Sequence, residues 1–136
     1  MTAVFADTFY WYALTNPLDQ WHKAALEARK AHGARLVVTT DEVLGEYLAA
    51  MSRHTKLRSA AALLIEALRN DPSVTIVAQS RQTFDEGFRL YCSRPDKQYS
   101  HTDCTSMNAC RQAGIVDVLT NDHHFEQEGF HILISR

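Results

Sequence analysis

The stretch Arg35-Leu36-Val37-Val38-Thr39-Thr40-Asp41-Glu42-Val43-Leu44-Gly45-Glu46 decides the fold. Its first half is a short apolar, β-branched run of the kind that fills a buried strand, predicted over Arg35 to Thr39. Its second half continues at helical spacing: Val43, Tyr47, Leu48 and Met51 fall on one face, so a helix is predicted from about Asp41 to Ser52. Thr39 and Glu42 have the spacing of a capping box, which would start that helix directly behind the strand. A strand that runs straight into a helix begins a βαβ unit.

The same alternation extends in both directions. Residues 2–6 read as a buried strand and Thr8 to Leu14 as one or two helical turns; Pro17 opens a helix to His32 that Gly33 closes. Downstream, Leu57 to Arg69 is helical, Val74 to Ala78 is a strand, and Arg81 to Tyr91 is helical again. A polar loop over 93–99 leads to a helix from Thr102 to Gln112 that ends at Gly114. Strands over Val116 to Thr120 and Phe130 to Ile134 complete the chain. Strands alternating with helices predict an α/β fold, with a mostly parallel five-stranded sheet covered on both faces. Right-handed crossovers then place every strand's carboxyl end on one side.

Bulk properties narrow the function. At 136 residues and 46% apolar content, residues 1–136 fit a single domain with an ordinary core. No apolar stretch approaches the roughly 20 residues that span a bilayer, and no basic n-region precedes an apolar segment. Three cysteines (Cys92, Cys104, Cys110) are odd in number and match no metal-ligand spacing, which favours a reducing compartment, the cytoplasm. A net charge of -2 lacks the basic footprint of a nucleic-acid-binding domain. Any nucleic-acid role must rest on a local site.

Four acids stand where such a site would form. Asp7 ends the first strand, Asp122 follows the fourth, Glu46 lies one turn inside the helix after strand two, and Asp103 sits in the first turn of a helix opened by Ser100. Each admits a plainer reading. Asp7 could cap the following helix; Asp103 completes a capping box with Ser100 and suits the helix dipole; Asp122 could be a turn residue. Glu46 falls nearer the buried face of its helix than Glu42, so Glu46 is expected to look into a cleft and Glu42 outward. Ser106, one turn past Asp103, would share its side of the helix. Gathered at the strand ends, four carboxylates would repel one another, and a divalent cation is the usual remedy.

Asp7-Thr8, Thr39-Thr40-Asp41-Glu42-Val43-Leu44-Gly45-Glu46, Tyr99-Ser100-His101-Thr102-Asp103-Cys104-Thr105-Ser106 and Thr120-Asn121-Asp122-His123-His124-Phe125 resemble, in order, the motifs of PIN-domain nucleases. Within that family the likeness is to VapC-like toxins of type II toxin–antitoxin systems, over nearly the whole chain. The resemblance implies a three-layer α/β/α sandwich and an Mg²⁺- or Mn²⁺-dependent ribonuclease that inhibits growth or translation. Asp7, Glu46, Asp103 and Asp122 match its acidic quartet, with Asp7, Asp103 and Asp122 as metal ligands and Thr8, Ser106 and Thr120 in support. It further implies an RNA substrate, a homodimer and a cognate antitoxin whose tail enters the acidic cleft. His123 stands where many relatives carry a basic residue.

Other features are weaker. His101, His123 and His124 match no tetrahedral zinc spacing. Phe9-Tyr10-Trp11-Tyr12 reads as core packing before base stacking or partner docking. Arg94 and Lys97, just ahead of Asp103, are candidates for contact with RNA phosphates, before Arg53, Lys56 and Arg58. Two rival classes remain open. A phosphoaspartyl enzyme would want a second Asp where Phe9 stands, and a receiver domain an acidic pair beside strand one. A non-catalytic RNA- or partner-binding module would leave the quartet without a task.

Overall fold

The computed structural model describes residues 2–135. Five strands and seven helices alternate: β1 (Val4–Ala6), α1 (Thr8–Thr15), α2 (His22–His32), β2 (Val37–Thr40), α3 (Asp41–Met51), α4 (Thr55–Arg69), β3 (Val74–Val77), α5 (Arg81–Ser93), α6 (His101–Ala113), β4 (Asp117–Leu119), α7 (His124–Gln127) and β5 (His131–Ile132). The sheet order is β3-β2-β1-β4-β5, and every neighbouring pair is parallel. The chain builds outward from β1 to β3 on one side, then returns to place β4 and β5 on the other. Right-handed crossovers therefore send α1 to α4 to one face and α5 to α7 to the opposite one, giving three layers. Strand order reverses between β1 and β4. That is the crevice where open parallel sheets hold their ligands.

The centre of the sheet is fully buried, as strands covered on both faces require. Val4, Phe5, Ala6, Val118 and Leu119 are at 0% exposure. Tyr47 and Met51 of α3 and Met107 of α6 are equally buried. Tyr10 and Trp11 are buried, and Phe9 and Tyr12 pack partly against the same core, so the aromatic run is packing material. At the amino ends of the strands Arg35 ties the sheet together. Its guanidinium donates to Asp117 at 2.7 Å and to the Ala3 carbonyl at 3.3 Å.

Two local expectations fail for physical reasons. The helix predicted from Pro17 begins only at His22. Asn16 accepts a bond from the Leu18 amide and Asp19 one from the Trp21 amide, local side-chain bonds that compete with helix. The cap of α3 is Thr40, which accepts from the Val43 amide at 3.0 Å, so the Thr39–Glu42 capping box does not form. Thr39 instead points inward. Its hydroxyl donates to the Ala6 carbonyl at 2.9 Å and accepts from the Trp11 indole at 3.3 Å.

On the far face α5 and α6 approach closely because Gly87 has no side chain. A Cβ there would stand 2.5 Å from Thr105 Cγ2 and 3.0 Å from His101 Nε2. Helix propensity alone would favour Gly87→Ala by about 1 kcal/mol, whereas overpacking typically costs about 1–3 kcal/mol. We expect Gly87→Ala to lower the urea midpoint and an added Thr105→Ser to recover part of the loss. A higher midpoint for Gly87→Ala would refute the close approach.

Candidate active site

The carboxyl ends of β1 and β4 meet through one hydroxyl. Thr120, at 0% exposure, donates to Asp7 Oδ2 at 2.9 Å and accepts from the Asp122 amide at 3.0 Å. Asp7 occupies the N-cap position of α1 without making a side-chain cap bond, so capping does not account for it. Burial pushes its carboxyl up to about 7; the nearby charges of Asp103 and Asp122 push the same way, and the Thr120 hydroxyl pulls back. A buried carboxylate facing two others is poorly satisfied by its own protein.

Asp103 arrives from α6. The capping box forms as the sequence predicts: Ser100 accepts from the Asp103 amide, and Asp103 Oδ2 accepts from the Ser100 amide, both at 3.0 Å. Burial raises this carboxyl as well, with the Ser100 amide opposing and the Asp122 charge adding to the rise. Asp122 is pinned by a bond from the His124 amide to its Oδ1 at 2.9 Å. His124 Nδ1 then lies 3.4 Å from both Asp103 Oδ2 and Asp122 Oδ1. Sequence reading set this histidine aside. The Asp-x-His spacing that folds Asp122 onto the His124 amide was the available signal.

The other predicted residues divide. Thr8 donates to the Val43 carbonyl, at 3.5 Å, one turn before Glu46. Glu46 is exposed, whereas Glu42 is half-buried and lines a small cavity with Glu86, Thr105 and Gln112, the reverse of the expected exposures. Neither Glu46 nor Asp7 joins the Asp103–Asp122–His124 group. Ser106 is fully buried, and its hydroxyl has no hydrogen-bond partner among the described residues. It shares a face of α6 with Asp103 and Cys110, and Cys110 lies close enough to Asp7 to feel its charge. That face therefore looks toward Asp7.

Arg94 is committed elsewhere: it pairs with Glu128 at 2.9 Å, and Arg111 meets the same carboxylate at 2.8 Å. Lys97 lies 3.7 Å from Asp96. The Tyr99 hydroxyl also donates to Glu128, at 3.0 Å, while its ring meets the His124 ring edge-on with centroids 5.4 Å apart. No pattern along the chain announced this network, whose members are far apart in sequence.

The donor set suits a hard divalent cation. Asp103, Asp122 and His124 hold ligand atoms within 4.8 Å of one another, and Asp7, outside that group, lies near enough to feel the charges of Asp103 and Asp122; burial raises the Asp7 and Asp103 carboxyls. No helix among the described residues is long and apolar enough to cross a membrane.

No family model matches the chain. It is 28% identical over 127 residues to the 23S rRNA-specific endonuclease VapC20 of Mycobacterium tuberculosis, covering 93% of this chain and 95% of that protein. Its structure overlays the crystal structure of that VapC20, described as a sarcin-ricin loop cleaving toxin, with a TM-score of 0.85 at 26% identity over 95% and 97% of the two chains. FitAcB of Neisseria gonorrhoeae (TM-score 0.67, 14% identity, 96% of each chain) shares the fold. So does DNA-bound VapBC of Salmonella typhimurium (0.66, 13%, 97% of each chain).

The Asp7 carboxyl gives a prediction about the metal-free protein. Its proton is held more tightly folded than unfolded, so this contribution to stability is complete below about pH 4. It is lost as pH rises through about 7. With chelator present, thermal midpoints should fall across that window in the wild type and much less in Asp7→Asn, which can still accept from Thr120. Parallel pH profiles would refute the buried, unsatisfied carboxylate.

Proposed function

The chain is a VapC-like PIN-domain protein, and from that premise we propose that it is a metal-dependent endoribonuclease, the toxin of a toxin–antitoxin pair. The observation that carries this reading is the convergence of Asp7, Asp103 and Asp122 at the point between β1 and β4 where strand order reverses. RNA is the substrate class. The likeness to a 23S rRNA-specific endonuclease over 93% of the chain makes large-subunit ribosomal RNA the first substrate to test.

Asp7, Asp103 and Asp122 would hold the ion. Mg²⁺ or Mn²⁺ bound there supplies positive charge that polarises a phosphodiester and stabilises its transition state. The chain's own residues do the positioning. Thr120 orients Asp7, and the Ser100 amide and the dipole of α6 aim Asp103 and favour its anion against burial. The His124 amide fixes Asp122. Glu46, exposed on α3 and outside the Asp103–Asp122–His124 group, would be the fourth carboxylate, binding a second ion or orienting the attacking water. Ser106 adds a buried hydroxyl on the Asp103 side. Arg94 serves the phosphate only by leaving Glu128, so Lys97 is the more available cation of the two. An antitoxin segment that covers the acidic cleft, a homodimeric assembly and action in the cytoplasm complete the reading.

The test is cleavage of ribosomal and total RNA by purified protein, with Mn²⁺ or Mg²⁺ and with chelator. We expect chelator to stop cleavage. Asp7→Asn and Asp103→Asn should each lower the rate by about 10²-fold or more, the scale seen when electrostatic stabilisation of a transition state is removed. Circular dichroism should show both variants folded. Cleavage at wild-type rate by both variants would remove the active-site assignment; RNA binding without cleavage in any metal would favour a non-catalytic module.

A further inference from the structure

His124 is the one group of the cleft to which the nuclease reading gives no task through its side chain. Its imidazole is 29% exposed, and Nδ1 lies 3.4 Å from a carboxylate oxygen of Asp103 and 3.4 Å from one of Asp122. The three donor atoms all fall within 4.8 Å of one another, and no other trio of such groups among the described residues does so. Neither the ring nor its backbone is loose. Asp122 holds the His124 amide at 2.9 Å, and the ring rests edge-on against Tyr99, whose hydroxyl is anchored on Glu128. The imidazole thus rests on one side against the buried Tyr99 ring. On the other side it faces two carboxylates.

A histidine between two aspartates can be a simple ion pair. Two features say more. The nitrogen is nearly equidistant from both carboxylates, as a third corner of a coordination polyhedron would be, and adjacent ligand atoms around an octahedral ion at about 2.1 Å stand about 3 Å apart. The observed 3.4 Å separations need only a small contraction. Second, Ser106 is fully buried one turn beyond Asp103 with no hydrogen-bond partner for its hydroxyl, on the α6 face that looks toward Asp7.

Resting on the acidic site proposed above, we propose that His124 Nδ1 is itself a ligand of the ion held by Asp103 and Asp122, and that this nitrogen biases the site toward a first-row transition ion over Mg²⁺. As a ligand, His124 would offer the Nδ1 lone pair to the ion and carry its proton on Nε2. Mg²⁺ takes oxygen ligands and gives up water reluctantly, so a nitrogen donor gains it little. Imidazole suits first-row transition ions such as Fe²⁺, Ni²⁺ and Zn²⁺, so the same nitrogen strengthens their binding, with Mn²⁺ the weakest binder of that series and hence the most stringent probe. Tyr99 and, behind it, Glu128 are positioning residues for the ligand, in the way that outer groups orient metal-bound histidines.

The experiment uses Mn²⁺ as the probe and reads binding, not cleavage. Mn²⁺ is titrated into the purified full chain by electron paramagnetic resonance, Mg²⁺ affinity is obtained by competition, and electron spin-echo modulation reports nitrogen coupled to the bound Mn²⁺. The wild type should show imidazole nitrogen coupling and prefer Mn²⁺. His124→Ala should lose the coupling and at least about tenfold in Mn²⁺ affinity, while Mg²⁺ affinity changes far less. Bound Mn²⁺ without nitrogen coupling, or equal losses for both ions in His124→Ala, would overturn the proposal. If His124→Ala does not fold, the coupling in the wild type decides alone. Asp103→Asn separates the two levels: wild-type affinity for both ions in that variant would mean that the acidic site itself is wrongly placed.

Discussion

The hydroxyl of Thr120 is the point on which the site turns. It reaches from the end of β4 to Asp7 at the end of β1, and it receives the amide of Asp122 from its own loop. Parallel pairing of β1 with β4 sets Ala6 opposite Leu119, so the residues that follow each strand leave the sheet side by side. One buried bond of 2.9 Å, with the Asp122 amide on the same hydroxyl oxygen, then ties Asp7 to the loop that carries Asp122. Because β1 and β4 flank the reversal of strand order, their helices depart to opposite faces and leave a crevice open above them. A register slip of one residue would turn Thr120 away from Asp7 and dissolve the arrangement.

Asp103 shows how a local structural device is reused. Its capping box starts α6, and the bond it accepts from the Ser100 amide opposes the rise that burial and the Asp122 charge impose on its carboxyl. The helix thereby gains its first turn, and the cleft gains an anion aimed along a fixed direction. Capping and ligation are compatible because a carboxylate has several lone pairs, and the cap uses only some of them.

These particulars explain what the sequence made legible. Strand and helix periods predicted the five parallel strands, and the capping box at Ser100 and the strand-end position of Asp7 could be read directly from residue spacing. What the sequence misplaced were competitions between near-equivalent neighbours. Thr39 and Thr40 could each cap α3, and the choice fell to Thr40 because Thr39 had a buried carbonyl and an indole to satisfy. Glu42 and Glu46 differ by one turn, and their exposures depend on α5 and α6, which no pattern within α3 could report. His124 was passed over for the same reason. Its partners Asp103 and Tyr99 lie more than twenty residues away and meet it only once α6 and α7 are packed.

Two largely buried carboxylates now stand in instructive contrast. Glu128 is 6% exposed at its side chain and holds its carboxyl down at about 2, because Arg94, Arg111 and Tyr99 all point at it. Asp7 is 5% exposed and is driven up to about 7 by burial, because the Thr120 hydroxyl and the Thr8 amide are all that oppose it and two like charges add to it. Burial disfavours the charge in both, so the partners decide the outcome. The protein can supply internal cations where structure is wanted, as the Glu128 network shows. Among the described residues no lysine or arginine pairs with Asp7, Asp103 or Asp122, and the His124 ring stands against the last two alone. An arginine there would have satisfied the cleft and closed it to any cation from solution. Leaving the cleft short of positive charge costs folding stability when it is empty, and that same cost is what a bound divalent ion would recover.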